Sequence, residues 1–206
     1  LGDPTFGHLN SKQTEYLGYI TASTNALLAL INNILDLATI DAGAMTLNLT
    51  DVDIRTSMEA AAEGVQDRLV RNRITLDIRA PADIGSFIAD ERRLRQILFN
   101  LLSNAVGFSP SPETVILLAE RRVDAVVFSV TDHGPGIAPE AKDRVFDWFE
   151  TDSRGSQHRG PGLGLSLVRS FVELHGGTVS IESAPGKGTS VTCVFPVQQT
   201  AKRTAA

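Results

Sequence analysis

Apolar residues recur at three- and four-residue steps through the early part of the chain. Between residues 11 and 41 these positions are Leu17, Ile20, Leu27, Leu28, Ile31, Ile34, Leu35 and Ala38. The spacing predicts one long amphipathic helix, and Gly43 is well placed to end it. Because a single helix cannot bury such a stripe by itself, we expect it to need helical partners. Residues 1–10 read as a loop leading into this helix, which suggests a first helix further upstream.

At about residue 52 the pattern changes, and helical and extended periods begin to alternate. The helical period covers 52–72, 90–106 and 163–177. The strand period covers 74–80, 114–120, 125–132, 178–183 and 189–197. Asp90 is a good N-cap, and Gly176 and Gly177 are stops. A loop-rich segment runs from 132 to 162, and we expect the tail 198–206 to be disordered. This order predicts an α/β layer with helices packed on one face of a sheet.

The composition is that of an ordinary soluble globular protein. The 206 residues, 42% apolar and 21% charged, can form one good-sized core with an appendage or two small domains. A net charge of −5 argues against non-specific binding to nucleic acid, which needs a basic surface. The single cysteine, Cys193, excludes an internal disulfide framework and a thiolate metal cluster. Its apolar neighbours indicate a core residue on a strand.

The most apolar run, residues 26–40, is interrupted by Asn32, Asn33 and Asp36. We expect this run to be too short to span a bilayer. We expect no secretory signal peptide before the fold. We therefore expect the chain to be cytoplasmic and without membrane contact, and any membrane anchor of a longer protein to lie upstream.

Two asparagines, Asn100 and Asn104, lie four residues apart in the otherwise apolar or small segment NLLSNAVGFSP. They fall on one face of the predicted helix. A buried amide without hydrogen-bond partners costs about 1–3 kcal/mol. The pair therefore suggests a bound ligand.

Three glycine-containing segments follow the asparagine pair. In DHGPGI (132–137), Asp132 can accept a hydrogen bond from a purine amine, and Gly134 and Gly136 would let a ring approach the backbone. Alone, this segment also fits an ordinary turn. GPGLGL (160–165) opens a helix whose first amides suit phosphate, although it also fits a flexible loop. PGKGT (185–189) alone fits a hairpin turn. The succession of all four segments is hard to reach by chance.

This succession resembles the ATP-binding domain of sensor histidine kinases, in the superfamily that also holds gyrase, Hsp90 and MutL. Its boxes are similar to residues 100–109 (N box), 132–137 (first glycine box), 146–149 (F box), 160–165 (second glycine box) and 186–189 (last glycine box). The helix 11–41 is similar to the second helix of the dimerisation and histidine-phosphotransfer hairpin.

The resemblance implies a definite fold and domain division. The fold is α+β, a Bergerat-type ATP-binding α/β sandwich, which is a mixed sheet with helices on one face, preceded by one long hairpin helix. Residues 1–45 would hold that helix, residues 46–197 the ATP-binding domain and residues 198–206 the disordered tail.

The resemblance also implies the cofactors ATP and Mg²⁺ and a set of site residues. Asn104 would bind the Mg²⁺ that bridges the ATP phosphates, since an amide oxygen is a suitable hard ligand. Asn100 stands where gyrase-type relatives carry a water-activating glutamate, and an amide cannot act as a base. Asp132 would bind adenine. The implied nucleotide-binding residues are Asn100, Asn104, Asp132, Gly134, Gly136, Ile137, Arg159, Gly160, Gly162, Leu163, Gly164, Leu165 and Thr189.

A lid over the nucleotide is implied for residues 150–160. In it Arg154, His158 and Arg159 could reach the phosphates, although each also fits a solvated loop residue. Phe146, Trp148 and Phe149 would anchor the root of the lid, although as plain core aromatics they need no function.

Two departures from the family pattern bear on activity. Gly107 stands where the pattern has a phosphate-binding lysine, and the phosphoacceptor segment His-Glu-x-Arg-Thr-Pro is absent from this chain. None of the four histidines, His8, His133, His158 and His175, has that context. The segments are also similar to those of DivL-like bacterial kinases, an atypical branch with tyrosine at the acceptor position. Tyr16 and Tyr19 are on the wrong helix to be that acceptor.

These features leave two functions open. The first is the ATP-binding catalytic domain of a two-component sensor kinase, with a response-regulator receiver domain or another sensor kinase as partner and self-association through the hairpin. This chain would not label itself with phosphate. The second is an atypical kinase or pseudokinase whose ATP domain serves as an allosteric or docking scaffold, which Gly107 favours. A gyrase- or Hsp90-type ATPase is disfavoured because Asn100 is not glutamate.

Overall fold

The computed structural model describes residues 9–142, 144–147 and 162–197. The chain divides into two compact units, Leu1–Met45 and Thr46–Ala206. The predicted tail, residues 198–206, lies outside the described residues.

The first unit is built on one helix, α1 (Ser11–Asp41), as the apolar period predicts. A reciprocal cap begins it: the Asn10 side chain accepts from the Gln13 amide, and the Gln13 side chain accepts from the Asn10 amide, both at 2.9 Å. Gly43, with φ of +64°, follows its end and donates to the Ile40 carbonyl at 2.8 Å. The stripe stays open to solvent, with Ile20, Leu27, Leu28, Ile31, Ile34 and Leu35 all exposed.

By length and composition alone, α1 is a helix that could cross a membrane. The apolar run 26–40 is part of this helix, and it is the whole helix, 31 residues long, that meets the two criteria. A helix that buries its stripe against other helices meets the same two criteria.

In its described part, the second unit contains seven strands and four α-helices. The strands are β1 (Thr50–Asp53), β2 (Ile74–Arg79), β3 (Ser86–Ala89), β4 (Glu113–Arg121), β5 (Ala125–Asp132), β6 (Thr178–Ser183) and β7 (Thr189–Pro196). The helices are α2 (Ile54–Glu63), α3 (Gln66–Asn72), α4 (Glu91–Phe108) and α5 (Gly164–Leu174). The five-stranded sheet has the order β2-β4-β5-β7-β6, while β1 and β3 form a separate antiparallel pair. Only β2 and β4 of these five pair in parallel, so the sheet is mixed, as expected.

The core lies between one face of this sheet and the helices. Along β7, Val191, Cys193 and Phe195 are buried, and the residues between them are half-buried. Phe195 and Phe128 of β5 meet edge to face with centroids 5.9 Å apart. Burial raises the pKa of the Cys193 thiol to about 12, so this residue is an inert core side chain, as predicted.

Two parts of the sequence prediction fail in this unit. Residues 52–72 form not one helix but the end of β1, then α2 and α3, with a break at Gly64. A Cβ at Gly64 would lie 3.0 Å from the Phe99 ring, so glycine lets the end of α2 pack on α4. The four-residue strand β3 was not predicted, because four residues are too few for an alternation of apolar and polar positions to be distinguished from the surrounding turns.

Candidate nucleotide-binding site

The asparagine pair lies on α4, on the side that faces the start of α5. Both side chains are half-buried. Within the described residues, the Asn100 amide nitrogen is buried and has no hydrogen-bond partner. A Cβ built on Gly164 would lie 3.5 Å from Nδ2 and 3.8 Å from Oδ1 of Asn104. The structure therefore brings together two motifs that are sixty residues apart in the sequence.

The position of α4 is set by hydrogen bonds of its N-cap residue, Asp90. The Asp90 carboxylate caps the helix by accepting from the Arg93 amide at 3.0 Å, and its other oxygen accepts from the Asn48 amide at 2.9 Å. The Asp90 amide donates to Nε2 of His175, at the end of α5, at 3.0 Å. His175 therefore carries its proton on Nδ1, which donates to the Phe171 carbonyl at 2.7 Å. Burial lowers the pKa of His175, which keeps the ring neutral.

Asp132 ends β5 with its side chain buried. Its Oδ1 accepts from the Gly134 amide at 2.8 Å, and the Thr189 amide also donates to the carboxylate. Burial raises the pKa of Asp132, while those two amides and the nearby His133 oppose the shift. The carboxylate is thus a fixed, partly desolvated hydrogen-bond acceptor, and an aspartate of this kind suits a site with a donor ligand.

In the first glycine box, the backbone lies in direct contact with the backbone of α4 and of the β6–β7 turn. A Cβ on Gly134 would lie 2.7 Å from the Phe108 carbonyl oxygen at the end of α4. A Cβ on Gly136 would lie 2.0 Å from the Ala184 carbonyl oxygen, and one on Gly188 would lie 2.0 Å from that of Asp132. These three glycines are therefore required by the protein's own packing. For Gly134 and Gly136 the sequence interpretation had assigned the space to a ligand and did not include this reason.

The Ser183 hydroxyl, which the sequence analysis missed, links the loop after β5 to the β6–β7 turn. Ser183 Oγ accepts from the Ile137 amide at 2.9 Å, donates to the Gly188 carbonyl at 2.8 Å and lies 3.0 Å from Oγ1 of Thr189. Nothing in a serine at the end of a predicted strand signals this role. It emerges only when the β6–β7 turn folds over the loop after β5.

The start of α5 is a glycine-rich turn without a side-chain cap. Gly162 has φ of +72°, and Leu163, the fully buried N-cap residue, makes no capping hydrogen bond. Leu165 in the first turn is half-buried, and that turn contains no acidic residue. Within the part of the chain that the structure describes, the first amides of α5 therefore have no side-chain cap and could bind an anion beside the Asn104 amide.

Comparison with known proteins identifies the family. Residues 89–199 match the family described as histidine kinase-, DNA gyrase B-, and HSP90-like ATPase. The chain belongs to this family. Its described boxes, from the asparagine pair to the β6–β7 turn, lie within the matched residues.

The similar proteins are histidine kinases and sensor proteins. The circadian input-output histidine kinase CikA of Synechococcus elongatus is 40% identical over 197 residues, which cover 94% of this chain and 26% of CikA. The sensor protein DivL of Caulobacter vibrioides is 35% identical over 191 residues, which cover 93% of this chain and 24% of DivL. The chain thus spans about a quarter of the length of these relatives. Since CikA and DivL both match, similarity to DivL does not by itself assign the chain to the atypical branch.

A solved structure extends the match to the fold. The crystal structure of full-length ShkA in complex with AMPPNP has a TM-score of 0.78 and 34% sequence identity, and the match covers 94% of this chain and 41% of that one. The predicted fold and the predicted function as the ATP-binding domain of a sensor histidine kinase are confirmed.

Several predicted site residues of this kinase domain lie outside the described residues. These are Trp148, Phe149, Arg154, His158, Arg159 and Gly160. Of the F box, Phe146 is described and buried, and the Arg169 guanidinium of α5 stacks 4.3 Å from its ring centroid. Gly107 is half-buried on the last turn of α4, which ends at Phe108.

The described residues fit Mg·ATP better than a free metal ion. Among them no group of three or more His, Cys, Asp or Glu side chains could hold a metal. The Asn104 side chain has no hydrogen-bond partner within the same residues, so its oxygen is available as a single hard ligand. Mg²⁺ is commonly bound by one or two protein oxygens together with phosphates and water. The donor set therefore fits an ion that arrives with a nucleotide.

Proposed function

We propose that this chain is the catalytic ATP-binding part of a two-component sensor kinase, and that the γ-phosphate of its ATP passes to an acceptor residue outside these 206 residues. The observation that supports this most directly is the meeting of Asn104 with Gly164 at the uncapped start of α5. An amide oxygen and free helix amides at one place suit a metal-bound triphosphate.

Each site residue has a proposed role. Asp132 accepts from the exocyclic amine of adenine, and Gly134, Gly136, Ile137 and Thr189 shape the pocket for the base. A second set binds the phosphates: Arg159, Gly160, Gly162, Leu163, Gly164 and Leu165. Asn104 ligates Mg²⁺, which when bound neutralises phosphate charge and orients the transferred group. Asn100 cannot take a proton from water, so the site holds ATP without rapid hydrolysis.

The role of Asn104 is tested by the variant Asn104→Ala. Because the amide contacts only the metal, Mg·ATP affinity should fall about tenfold or more while adenosine affinity stays unchanged. Calorimetric titration of both ligands measures the two affinities. An equal loss for both would assign the effect to folding and contradict the metal role. A wild-type chain that binds ATP equally well with and without Mg²⁺ would contradict it as well.

The partners follow from the same family membership. We propose a receiver domain of a response regulator or another sensor kinase as the phosphotransfer partner, self-association through the helical hairpin, and a cytoplasmic location. Residues 1–45 are proposed to supply the second hairpin helix and residues 46–197 the ATP-binding domain. The exposed apolar stripe of α1 supports the self-association.

A second candidate function is supported by Gly107. Without the lysine of the family pattern, the domain could bind nucleotide weakly and act as an allosteric or docking scaffold. Weak Mg·ATP binding by the wild-type chain, with adenosine affinity retained, would favour this function over the kinase.

A further inference from the structure

We propose that Arg68 of α3 supplies the positive charge beside the nucleotide phosphates that Gly107 of α4 lacks. This inference rests on the proposed nucleotide site. It adds to that site a helix, α3, which lies outside the family's sequence motifs.

The first observation is that α3 is fastened along α4 next to Gly107. The Arg68 guanidinium donates to the hydroxyl of Ser103. One turn further, the Asn72 side chain donates to the Val106 carbonyl at 3.2 Å. These two hydrogen bonds hold Arg68 against the second half of α4, where the asparagine pair also lies.

The second observation is the angular position of Ser103 on α4. At 100° per residue, Gly107 is about 20° from Asn100 and about 60° from Asn104 around the helix, so it belongs to the amide stripe. Ser103 lies about 40° from Gly107 and one turn below it, on the edge of that stripe. A guanidinium held at Ser103 is therefore next to the position from which a lysine side chain at 107 would project.

The third observation is that Arg68 has hydrogen-bonding capacity to spare. Its side chain is exposed, and within the described residues it has no carboxylate partner. A guanidinium carries five N–H donors, of which the Ser103 hydroxyl takes one. The remaining fork matches the geometry of phosphate oxygens. The triphosphate of a nucleotide bound beside Asn100 and Asn104 is the anionic ligand that would reach this guanidinium.

The test compares Mg·ATP and adenosine binding by calorimetry in the whole 206-residue chain. In Arg68→Ala, ATP affinity should fall about tenfold with adenosine affinity unchanged, because adenosine has no phosphate. Arg68→Lys keeps the charge and should keep most of the ATP affinity. The matched control, Arg92→Ala, also removes one exposed charge, about 16 Å along α4 from Ser103, and should change neither affinity.

A second variant tests the link to Gly107. Gly107→Lys should restore ATP affinity in the Arg68→Ala background and increase it less in the wild-type background, because the two cations serve the same phosphates. Unchanged ATP affinity in Arg68→Ala would overturn the inference while leaving the proposed function intact. An equal loss of ATP and adenosine binding would also overturn it, by assigning Arg68 to folding. A wild-type chain that binds neither ligand would overturn the proposed function and this inference together.

Discussion

At the scale of single residues, Asp132 is the most specifically prepared group of the site. A buried carboxylate is costly unless hydrogen bonds satisfy it. Here the Gly134 and Thr189 amides satisfy part of its capacity, and burial still raises its pKa. The side chain is thus held in place with an acceptor that a ligand can complete.

The variant Asp132→Asn tests the adenine role. It replaces an acceptor oxygen with an amide of nearly the same shape, so adenosine and ATP should both bind about tenfold more weakly. Competition titrations of the two ligands measure this. In the wild type, GTP should bind much more weakly than ATP, because guanine presents a carbonyl oxygen where adenine presents its amine. Equal binding of GTP and ATP would show that Asp132 does not read the base.

At the scale of elements, the loop after β5 and the β6–β7 turn form one packed assembly. The Gly186 amide donates to the Pro135 carbonyl at 2.7 Å, and Ser183 links Ile137 to Gly188. Since β5 and β7 are paired at Asp132 and Thr189, the two turns leave the sheet side by side. The strand pairing therefore brings together Asp132 and Thr189, two residues of the candidate site.

A pair of glycine variants tests this packing. Gly188 (φ +77°) and Gly186 (φ +73°) share the left-handed backbone, so alanine costs about 1–2 kcal/mol at either position. At Gly188 the new Cβ would also meet the Asp132 carbonyl oxygen, whereas at Gly186 nothing lies within 4 Å. Urea unfolding should therefore show Gly188→Ala to be less stable than Gly186→Ala by about 1–3 kcal/mol. Equal losses would mean that the two turns can separate freely.

The hydrogen bond that links the N-cap of α4 to the C-cap of α5 requires a neutral His175, because Nε2 must accept from the Asp90 amide. In the unfolded chain a histidine titrates near pH 6.5, and burial lowers the pKa of His175 in the fold. Below pH 6.5 the unfolded state consequently binds more protons than the folded state. The contribution of His175 to stability is thus complete above pH 6.5 and is lost as the pH falls toward its folded pKa, by at most about 1.4 kcal/mol per pH unit.

Urea unfolding at pH 7.5 and pH 5.5 measures this effect, with His175→Leu as the comparison. At pH 7.5 the variant should be less stable by about 1–3 kcal/mol, because the Asp90 amide loses its acceptor. Between the two pH values it should lose less stability than the wild type. His133, which lies 3.6 Å from Glu113, is unchanged in both proteins and cancels in the difference. Identical pH slopes would show that His175 is not the group that titrates.

At the scale of the whole molecule, the two units differ in how far they bury their apolar side chains. Among its described residues, the second unit buries five phenylalanines and the inner faces of α4 and α5. The first unit presents a row of large apolar side chains to solvent along one long helix. An exposed row of this extent is typical of a surface that binds another protein.

We expect the chain to self-associate through this row. Sedimentation analysis should show a concentration-dependent dimer, and Leu28→Lys combined with Ile31→Lys should weaken it by at least about a hundredfold, since each burial contributes about 1.5–3 kcal/mol. Ala22→Lys, an exposed change on the opposite side of the same helix, about 180° from Ile31, controls for added charge. A monomer at all concentrations with α1 fully helical would contradict this expectation.

The long local elements and the family can be predicted from the amino-acid sequence. Long periodic segments such as α1, α4 and the β4–β5 hairpin follow from neighbours along the chain, and the succession of five boxes identifies the ATP-binding domain. Short β1 and β3 and the break at Gly64 depend on pairing and packing with distant residues, so no local period reveals them. The same holds for the site. Three contacts of the site join segments that are distant in sequence: Asn104 with Gly164, Ser183 with Ile137, and Arg68 with Ser103. They cannot be predicted from local sequence, because they form only after the helices have packed on the sheet.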